Sequence, residues 1–371
     1  MKIALVHMRH AKVGGTELFL NQIAKYLCEK GEDVTIICRT HEEPSHPKIK
    51  FQVLKPLSIG KAHRVYRFAK AVEKHIKHSD YDIVYALGKT WTHDLIRVGG
   101  GTRKHIVDLR KAKKPTLRDR VSMYIERKAL SENDNLYVIS NSYKSTHEIQ
   151  ADYSVPHEKL ITIHNAVDTN RFDRRQYQKE TDNIKKKIGI TNANLPTFLF
   201  LGSGYNRKGL EPTLNAFSNL PFDANLVIVG NESNPEKYHQ LAQTLGIDKR
   251  CFFLGKQENP EHYFALADCY VFPTKYEPFG FTAIEALSSG CPVITTQDCG
   301  AKEVMNENVS TILGTGFTTE ELTNAMIKWV QNQPKDLPQQ CRESVMKLDV
   351  EAIMEENYQV ILDAYKLKKK M

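Results

Sequence analysis

The chain has 371 residues, 41% of them hydrophobic and 9% aromatic, with 20 Gly and 15 Pro, an ordinary globular composition that excludes disordered, fibrous and low-complexity classes. Its 52 Lys and Arg against 44 Asp and Glu leave a formal net charge of +8, which favours anionic partners (phosphates, nucleic acid, a membrane surface) without choosing among them. The seven cysteines are odd in number and scattered, with no Cys-x-x-Cys pair, and so read as buried free thiols, not as disulfides, a zinc site or a nucleophile.

This length predicts two domains of roughly 150–200 residues. The first apolar run gives way at once to His7, Arg9 and His10, too short for a signal peptide or a membrane span, so cytoplasmic residence is expected. Residues 3–7 predict a strand, 16–30 an amphipathic helix closed by Gly31, and 34–38 the next strand, together one right-handed βαβ unit. The alternation continues with strands at 51–54, 83–86, 136–139 and 160–163 and helices at 62–78 and 120–130.

From 170 to 194 the chain turns polar and charged, and a strong strand follows at 198–201. That change predicts a first domain over 1–175, a second over 190–347 and a long terminal helix over 348–371. The second half repeats the rhythm, with strands at 226–229, 252–254, 269–272 and 293–295 and helices at 210–217, 235–245, 260–267 and 282–288. Short, nearly unalternating apolar strands imply parallel sheets covered on both faces. The expectation is therefore two Rossmann-like doubly wound α/β domains facing across a cleft, with ligands at the carboxyl ends of their strands.

Three stretches carry candidate chemistry. Gly14-Gly15 follows the first strand and opens a helix, where backbone can approach an anion closely; no Gly-x-Gly-x-x-Gly or Gly-Lys-Ser/Thr accompanies it, so dinucleotide-binding and P-loop readings lose support. Gly202-Ser203-Gly204-Tyr205-Asn206-Arg207-Lys208-Gly209 follows an apolar strand and delivers two adjacent cations, suited to a diphosphate whose charge grows as a group departs. Glu277-Pro278-Phe279-Gly280 precedes a helix in which Glu285 stands among small apolar residues; a carboxylate there needs a partner, either a ribose or sugar diol or a buried cation.

The block from Glu277 through Phe279-Gly280-Phe281 and Glu285 to Gly290-Cys291-Pro292-Val293 resembles the Glu-x7-Glu signature of the family-4 retaining glycosyltransferases. Gly14-Gly15-Thr16-Glu17, Val138 through Ser142, His164 through Asp168 and Arg207-Lys208-Gly209 extend the resemblance over nearly the whole chain. It implies the GT-B architecture, no cofactor and no bound metal, and a terminal helix that crosses back to the first domain. Residue by residue, it implies that Arg207 and Lys208 clamp the donor diphosphate, Glu285 binds the ribose, and Glu277 orients hydroxyls of the transferred sugar. Phe279, Gly280 and Phe281 would add backbone contacts, and Gly14 and Gly15 would admit the phosphates.

The segment from His93 to Thr102 and the Ile125-Glu126-Arg127 element are similar to the subgroup that adds glucose to an inner-core heptose of lipopolysaccharide. Arg103 stands where many of that subgroup have His, which leaves His105 and Asp108 as the acceptor-side candidates. The implied partners are a UDP-sugar, a lipid-linked core oligosaccharide and the anionic inner face of a membrane, met peripherally by the basic span 103–128. The rival expectations are a family-4 enzyme for capsule, exopolysaccharide or glycolipid, and a non-catalytic carbohydrate-binding protein. Nucleic acid is not an expected partner, since no zinc-finger spacing or aromatic ribonucleoprotein motif is present.

Overall fold

Apolar runs without alternation need cover on both faces, and among the described residues they pair only in parallel, with helices between them. The computed structural model describes residues 1–12, 14–110, 114–192, 194–331 and 333–371. It divides into two units, Met1–Ala166 with Val350–Met371, and Val167–Asp349.

The first unit runs β1 (Lys2–Val6), α1 (Gly15–Glu29), β2 (Asp33–Cys38), β3 (Lys50–Val53), α2 (Gly60–Ile76), β4 (Ile83–Ala86), β5 (Leu95–Val98), α3 (Arg103–Asp108), α4 (Leu117–Arg127), β6 (Tyr137–Ser140), α5 (Tyr143–Tyr153) and β7 (Leu160–Thr162). Its sheet has the order β3-β2-β1-β4-β5-β6-β7. α1 lays Phe19, Leu20, Ile23, Ala24, Leu27 and Cys28 into the core, the spacing of one helical face. The C-terminal helix Val350–Lys370 belongs to this unit and buries Ile353, Met354, Asn357, Ile361 and Ala364.

β5 is absent from the sequence-based element order because Arg97 interrupts its apolar run. The structure keeps Arg97 buried, its guanidinium 4.2 Å over the Phe19 ring and donating to Ile163 O and Asn165 Oδ1 at 3.0 Å each. Packing over an aromatic face and hydrogen bonding offset part of its desolvation.

The second unit runs α6 (Gln178–Lys187), β8 (Thr197–Leu201), α7 (Tyr205–Lys208), α8 (Leu210–Ser218), β9 (Asn225–Val229), α9 (Glu236–Thr244), β10 (Cys251–Gly255), α10 (Pro260–Leu266), β11 (Cys269–Phe272), α11 (Phe281–Ser288), β12 (Val293–Thr296), β13 (Ser310–Leu313), α12 (Thr319–Lys328) and α13 (Leu337–Val345). The sheet order is β10-β9-β8-β11-β12-β13. Residues 167–175, read from sequence as the end of the first domain, group here, and the polar stretch after them forms α6, which packs on α10. Arg174 anchors this region by donating to Ala267 O (2.8 Å) and Ser289 O (2.7 Å).

Both sheets follow the classic doubly wound order, so each has a point where successive connections turn in opposite directions: between β1 and β4, and between β8 and β11. Crevices outside the carboxyl ends of strands at such points are where open α/β sheets bind ligands. All seven cysteines are buried and free. Among the described residues no helix is long and apolar enough to cross a membrane.

Candidate active site

At the second unit's switch point two turns meet. The first leaves β8 through Gly202, Ser203 and Gly204, whose φ of 78° lies in the left-handed region that glycine adopts without strain. Gly202 N donates to Val229 O (2.9 Å) and Gly204 N to Asn231 O (3.0 Å), holding the turn against the end of β9. One helical turn, α7, then carries Arg207 and Lys208 before Gly209 ends it at φ 87°. A Cβ on Gly209 would lie 2.2 Å from Pro273 O, so only glycine lets this turn touch the one leaving β11.

That second turn brings Glu277. Lys275 N donates to Arg207 O (2.9 Å), Glu277 N to Asp298 O (3.0 Å) and Gly300 N to Glu277 O (3.0 Å). The fixed backbone aims one carboxylate oxygen at both cations: Glu277 Oε2 accepts from Arg207 Nη1 at 2.8 Å and from Lys208 Nζ at 2.5 Å. Arg207 Nη1 also reaches Tyr276 O (2.8 Å), and the Lys208 ammonium sits 4.5 Å over the Phe272 ring. Burial pushes the Glu277 carboxyl up, but the charges of Lys208 and Arg207 outweigh it and hold the carboxyl below its usual range. The trio thus keeps one net positive charge, with Lys208 buried at 8% exposure.

Gly280, at φ 112°, starts α11; a Cβ there would lie 2.9 Å from Cys299 Sγ. Phe279 is buried and its carbonyl accepts from Ala301 N at 2.7 Å, so its side chain serves the core. Phe281 and Thr282 open α11 with backbone N–H groups of the kind that lack intrahelical partners, while Ala283 N already donates to Gly280 O (3.1 Å). One turn on, the Glu285 carboxyl is pushed up to about 7, first by burial and further by Glu261, with Arg171 and Lys208 pulling the other way. No described group hydrogen-bonds its carboxylate, and the nearby Arg171 is engaged with Glu261 at 2.8 Å. A half-buried carboxylate left this way can accept two hydrogen bonds from a vicinal diol.

In the first unit, Gly14 caps α1 at φ 128°, and a Cβ on it would meet Glu17 Oε2 at 2.2 Å; Gly15 is the helix's first residue. A cavity of about 270 Å³ borders this turn, walled by Thr16, Lys89, the Gly99-Gly100-Gly101 run, Arg103 and Glu126. The two residues that sequence reading puts on the acceptor side are not among its lining. Arg103 and Ile106 of α3 turn toward the cavity, whereas His105 lies 3.5 Å from Glu148 and Asp108 is an exposed partner of Lys104 at 3.3 Å. Residues three apart share a helix face, so the pair 105 and 108 falls on a different face from 103 and 106.

Two of the cavity's titratable groups, Lys89 and Glu126, escape the sequence reading as site residues. Glu126 accepts from Tyr153 Oη at 2.8 Å and from Arg103 N at 2.7 and 2.8 Å, while burial pushes its carboxyl up. The Ile125-Glu126-Arg127 element was the available signal, without its role; nothing local marks Lys89 beyond the preceding Gly88.

Two doubly wound sheets of this order, one carrying a cation–carboxylate cluster at its switch point, are the GT-B architecture found in glycosyltransferases. The chain belongs to family 4 of these enzymes: the sequence model described as "Glycosyltransferase Family 4" matches residues 13–171, and that described as "Glycosyl transferases group 1" matches 180–347. It is similar to the lipopolysaccharide glucosyltransferase WaaG of Escherichia coli K12, at 23% identity over 342 residues covering 90% of this chain and 91% of that one. The crystal structure of WaaG, a glycosyltransferase involved in lipopolysaccharide biosynthesis, superposes with a TM-score of 0.82 at 21% identity, covering 97% of this chain and 99% of that one. Anabaena HepE in complex with UDP-glucose superposes at 0.75 with 19% identity, over 98% and 100% of the two chains.

Proposed function

We propose that this chain is a retaining, metal-independent hexosyltransferase that takes glucose from UDP-glucose and attaches it to an inner-core heptose of lipopolysaccharide. The observation that carries it is the cluster at the β8–β11 switch point, where Arg207, Lys208 and Glu277 are bonded together and Glu285 follows on α11. In this reading Glu285 accepts from the ribose diol, and Arg207 and Lys208 neutralise the diphosphate as the sugar–phosphate bond breaks. A preorganised pair of cations in a partly dry site stabilises that growing charge without reorganising. Glu277 holds both cations in place and takes hydroxyls of the sugar, while Phe281 N and its neighbours meet donor oxygens at the start of α11. The acceptor hydroxyl attacks from the face that UDP leaves and gives its proton to the departing phosphate, so the anomeric configuration is kept.

The acceptor falls to the first unit, with the cavity beside Gly14 and Gly15 taking its saccharide. WaaG is named as a lipopolysaccharide glucosyltransferase and HepE was solved with UDP-glucose, which supports glucose and uridine as the first choices. The span 103–128 would rest on the anionic inner leaflet, placing the enzyme peripherally at the cytoplasmic face.

The test is incubation of the purified chain with UDP-glucose, UDP-galactose, UDP-N-acetylglucosamine and GDP-mannose, together with truncated core acceptors. Linkage and anomeric configuration of the product are read by NMR. Transfer of glucose with α-retention, undiminished in EDTA, is expected. Loss in EDTA restored by Mg²⁺ or Mn²⁺ would overturn the cation clamp, and preference for another donor or acceptor would move the enzyme to a different member activity of family 4.

A further inference from the structure

Beside the 270 Å³ cavity lies a second, more open hollow of about 400 Å³ that shares His7, Thr16 and Lys89 with it. Its walls carry five cations, Arg9, Arg39, Arg64, Lys89 and Arg118, and one carboxylate, Glu17. The cations come from five separate places: Arg9 follows β1, Arg39 follows β2, Arg64 stands on α2, Lys89 follows β4 and Arg118 stands on α4. The first two are aligned by backbone, because the β1–β2 ladder continues through the Arg9–Thr40 bridge and the bond from Arg39 N to Met8 O (3.0 Å).

Glu17 offsets part of this charge, since its carboxyl is held low first by His7 and also by the charge of Arg9, but it forms no ion pair with the cations. Its carboxylate is turned to His7, 3.9 Å away, and folds beneath Gly14. No carboxylate of the described residues forms an ion pair with any of the five. Cations elsewhere in the same unit do find partners: Arg103 and Arg110 share Asp119, and Arg127 meets Glu132. Lys89 is brought into the wall by a turn that Gly88 enters at φ 93° without strain and in which Lys89 itself takes φ 67°, a left-handed conformation disfavoured for a side chain of its kind. Burial, and then the charges of Arg103 and Arg118, lower its pKa against the pull of Glu126. Arg39 Nη1 is anchored on Pro56 O (3.2 Å), Arg9, Arg64 and Arg118 are exposed around the hollow, and only Lys89 sits on the left-handed turn. Five cations converging with no carboxylate in ion-pair contact are an arrangement that an anion relieves.

We propose that this hollow is an anion subsite for the acceptor, binding a phosphate group that the acceptor carries while the adjoining cavity takes the sugar bearing the accepting hydroxyl. Arginine suits the task because its planar fork offers paired donors to phosphate oxygens. The position is the first sheet's own switch point, between β1 and β4. The word acceptor rests on the glycosyl-transfer reading; the anion site rests on the first unit alone. A phosphorylated saccharide and a phospholipid headgroup present the same chemistry.

The test uses the full-length chain saturated with UDP, so that the cations of the second unit are occupied, titrated with inorganic phosphate and followed by phosphorus NMR. Wild type should bind phosphate saturably. Arg9→Gln/Arg64→Gln should weaken that binding at least about tenfold, since charge-assisted hydrogen bonds are lost, whereas Arg9→Lys/Arg64→Lys, which keeps the charges but not the paired donors, should weaken it less. UDP affinity, measured by calorimetry, should match in all three and certifies their folding. Competition then separates the sources: displacement of phosphate by mannose 6-phosphate but not mannose identifies a phosphorylated sugar, and displacement by phosphatidylcholine–phosphatidylglycerol vesicles but not pure phosphatidylcholine identifies a headgroup. Displacement by neither, equal phosphate affinity in wild type and the Gln variant, or no saturable binding to the UDP-loaded chain overturns the proposal and leaves glycosyl transfer standing. Failure of wild type to bind UDP overturns the transfer reading instead, and the phosphate titration still decides whether the anion site exists.

Discussion

Lys208 is the side chain on which the donor chemistry depends most. It is buried, bonded to Glu277 and seated over Phe272, so its charge acts in a medium that screens it poorly. Lys208→Ala should lower kcat/KM by at least about 100-fold, near 2.7 kcal/mol of transition-state stabilisation, with Arg207 masking part of a larger loss. Steady-state rates within a few-fold of wild type would mean that the phosphates bind elsewhere.

Glu285 makes a second prediction at this scale, in two parts. Its carboxyl is pushed up to about 7, above the value it has in an unfolded chain, so the fold prefers the protonated form. The associated stability is present at acid pH and is lost as pH rises through about 7. Glu285→Gln should therefore melt above wild type under alkaline conditions, with the gap closing toward acid. Binding should move the opposite way: the ionised carboxylate accepts from the ribose diol, so UDP-glucose affinity should rise with pH through the same range in wild type and stay flat in the variant. Calorimetry at several pH values reads the second effect and differential scanning reads the first. A flat wild-type profile would remove Glu285 from the ribose.

Among the elements, α3 and α4 change the meaning of the basic span. Counted from sequence, 103–128 is a predominantly basic stretch in which only Asp108, Asp119 and Glu126 oppose the cations; in the structure Asp119 takes both Arg103 and Arg110, Lys104 is shared by Asp108 and Asp152, and Lys128 stands over the Trp91 and Tyr124 rings. Lys114, Arg118 and Arg120 remain exposed, alongside the exposed apolar side chains of Leu109 and Leu117; Lys111 and Lys113 lie outside the described residues. Basic groups at an anionic membrane contribute about 1 kcal/mol each and fade within a Debye length of roughly 8 Å at physiological salt. Replacing Lys111, Lys113, Lys114, Arg118 and Arg120 with Gln should cut binding to anionic vesicles by orders of magnitude at low salt and less at high salt, with UDP affinity unchanged. Loss of UDP affinity with vesicle binding intact would reassign the span to the donor.

At the scale of the whole molecule, the first unit is closed by a helix from the far end of the chain. Val350–Lys370 lays Ile353, Met354 and Ile361 into that unit, its Asn357 Oδ1 accepts from buried Tyr85 Oη (3.1 Å), and Tyr358 Oη donates to Glu32 Oε1 (2.6 Å). Three large apolar side chains at about 1.5–3 kcal/mol each rival the net stability of a domain. Deleting residues 350–371 should strip hydrogen-exchange protection from β1 and β4 of the first unit. Retained protection there would show the helix to be dispensable.

Much of this protein is decided by neighbours in sequence. The parallel α/β rhythm, the glycine turns around Arg207 and Lys208, and the spacing of Glu277 and Glu285 are local patterns, readable because backbone periodicity and turn chemistry act over a few residues. Strand order, the seating of Arg97 inside β5, the bonding of Glu277 to cations 69 and 70 positions away, and the placing of His105 and Asp108 off the cavity that Lys89 and Glu126 line were left to the tertiary structure. Those depend on which faces must be buried against each other and on which buried charges can find partners. Packing settles such questions between segments that share no sequence window, as it does where Arg9, Arg39, Arg64, Lys89 and Arg118 gather around one hollow from five separate places in the chain.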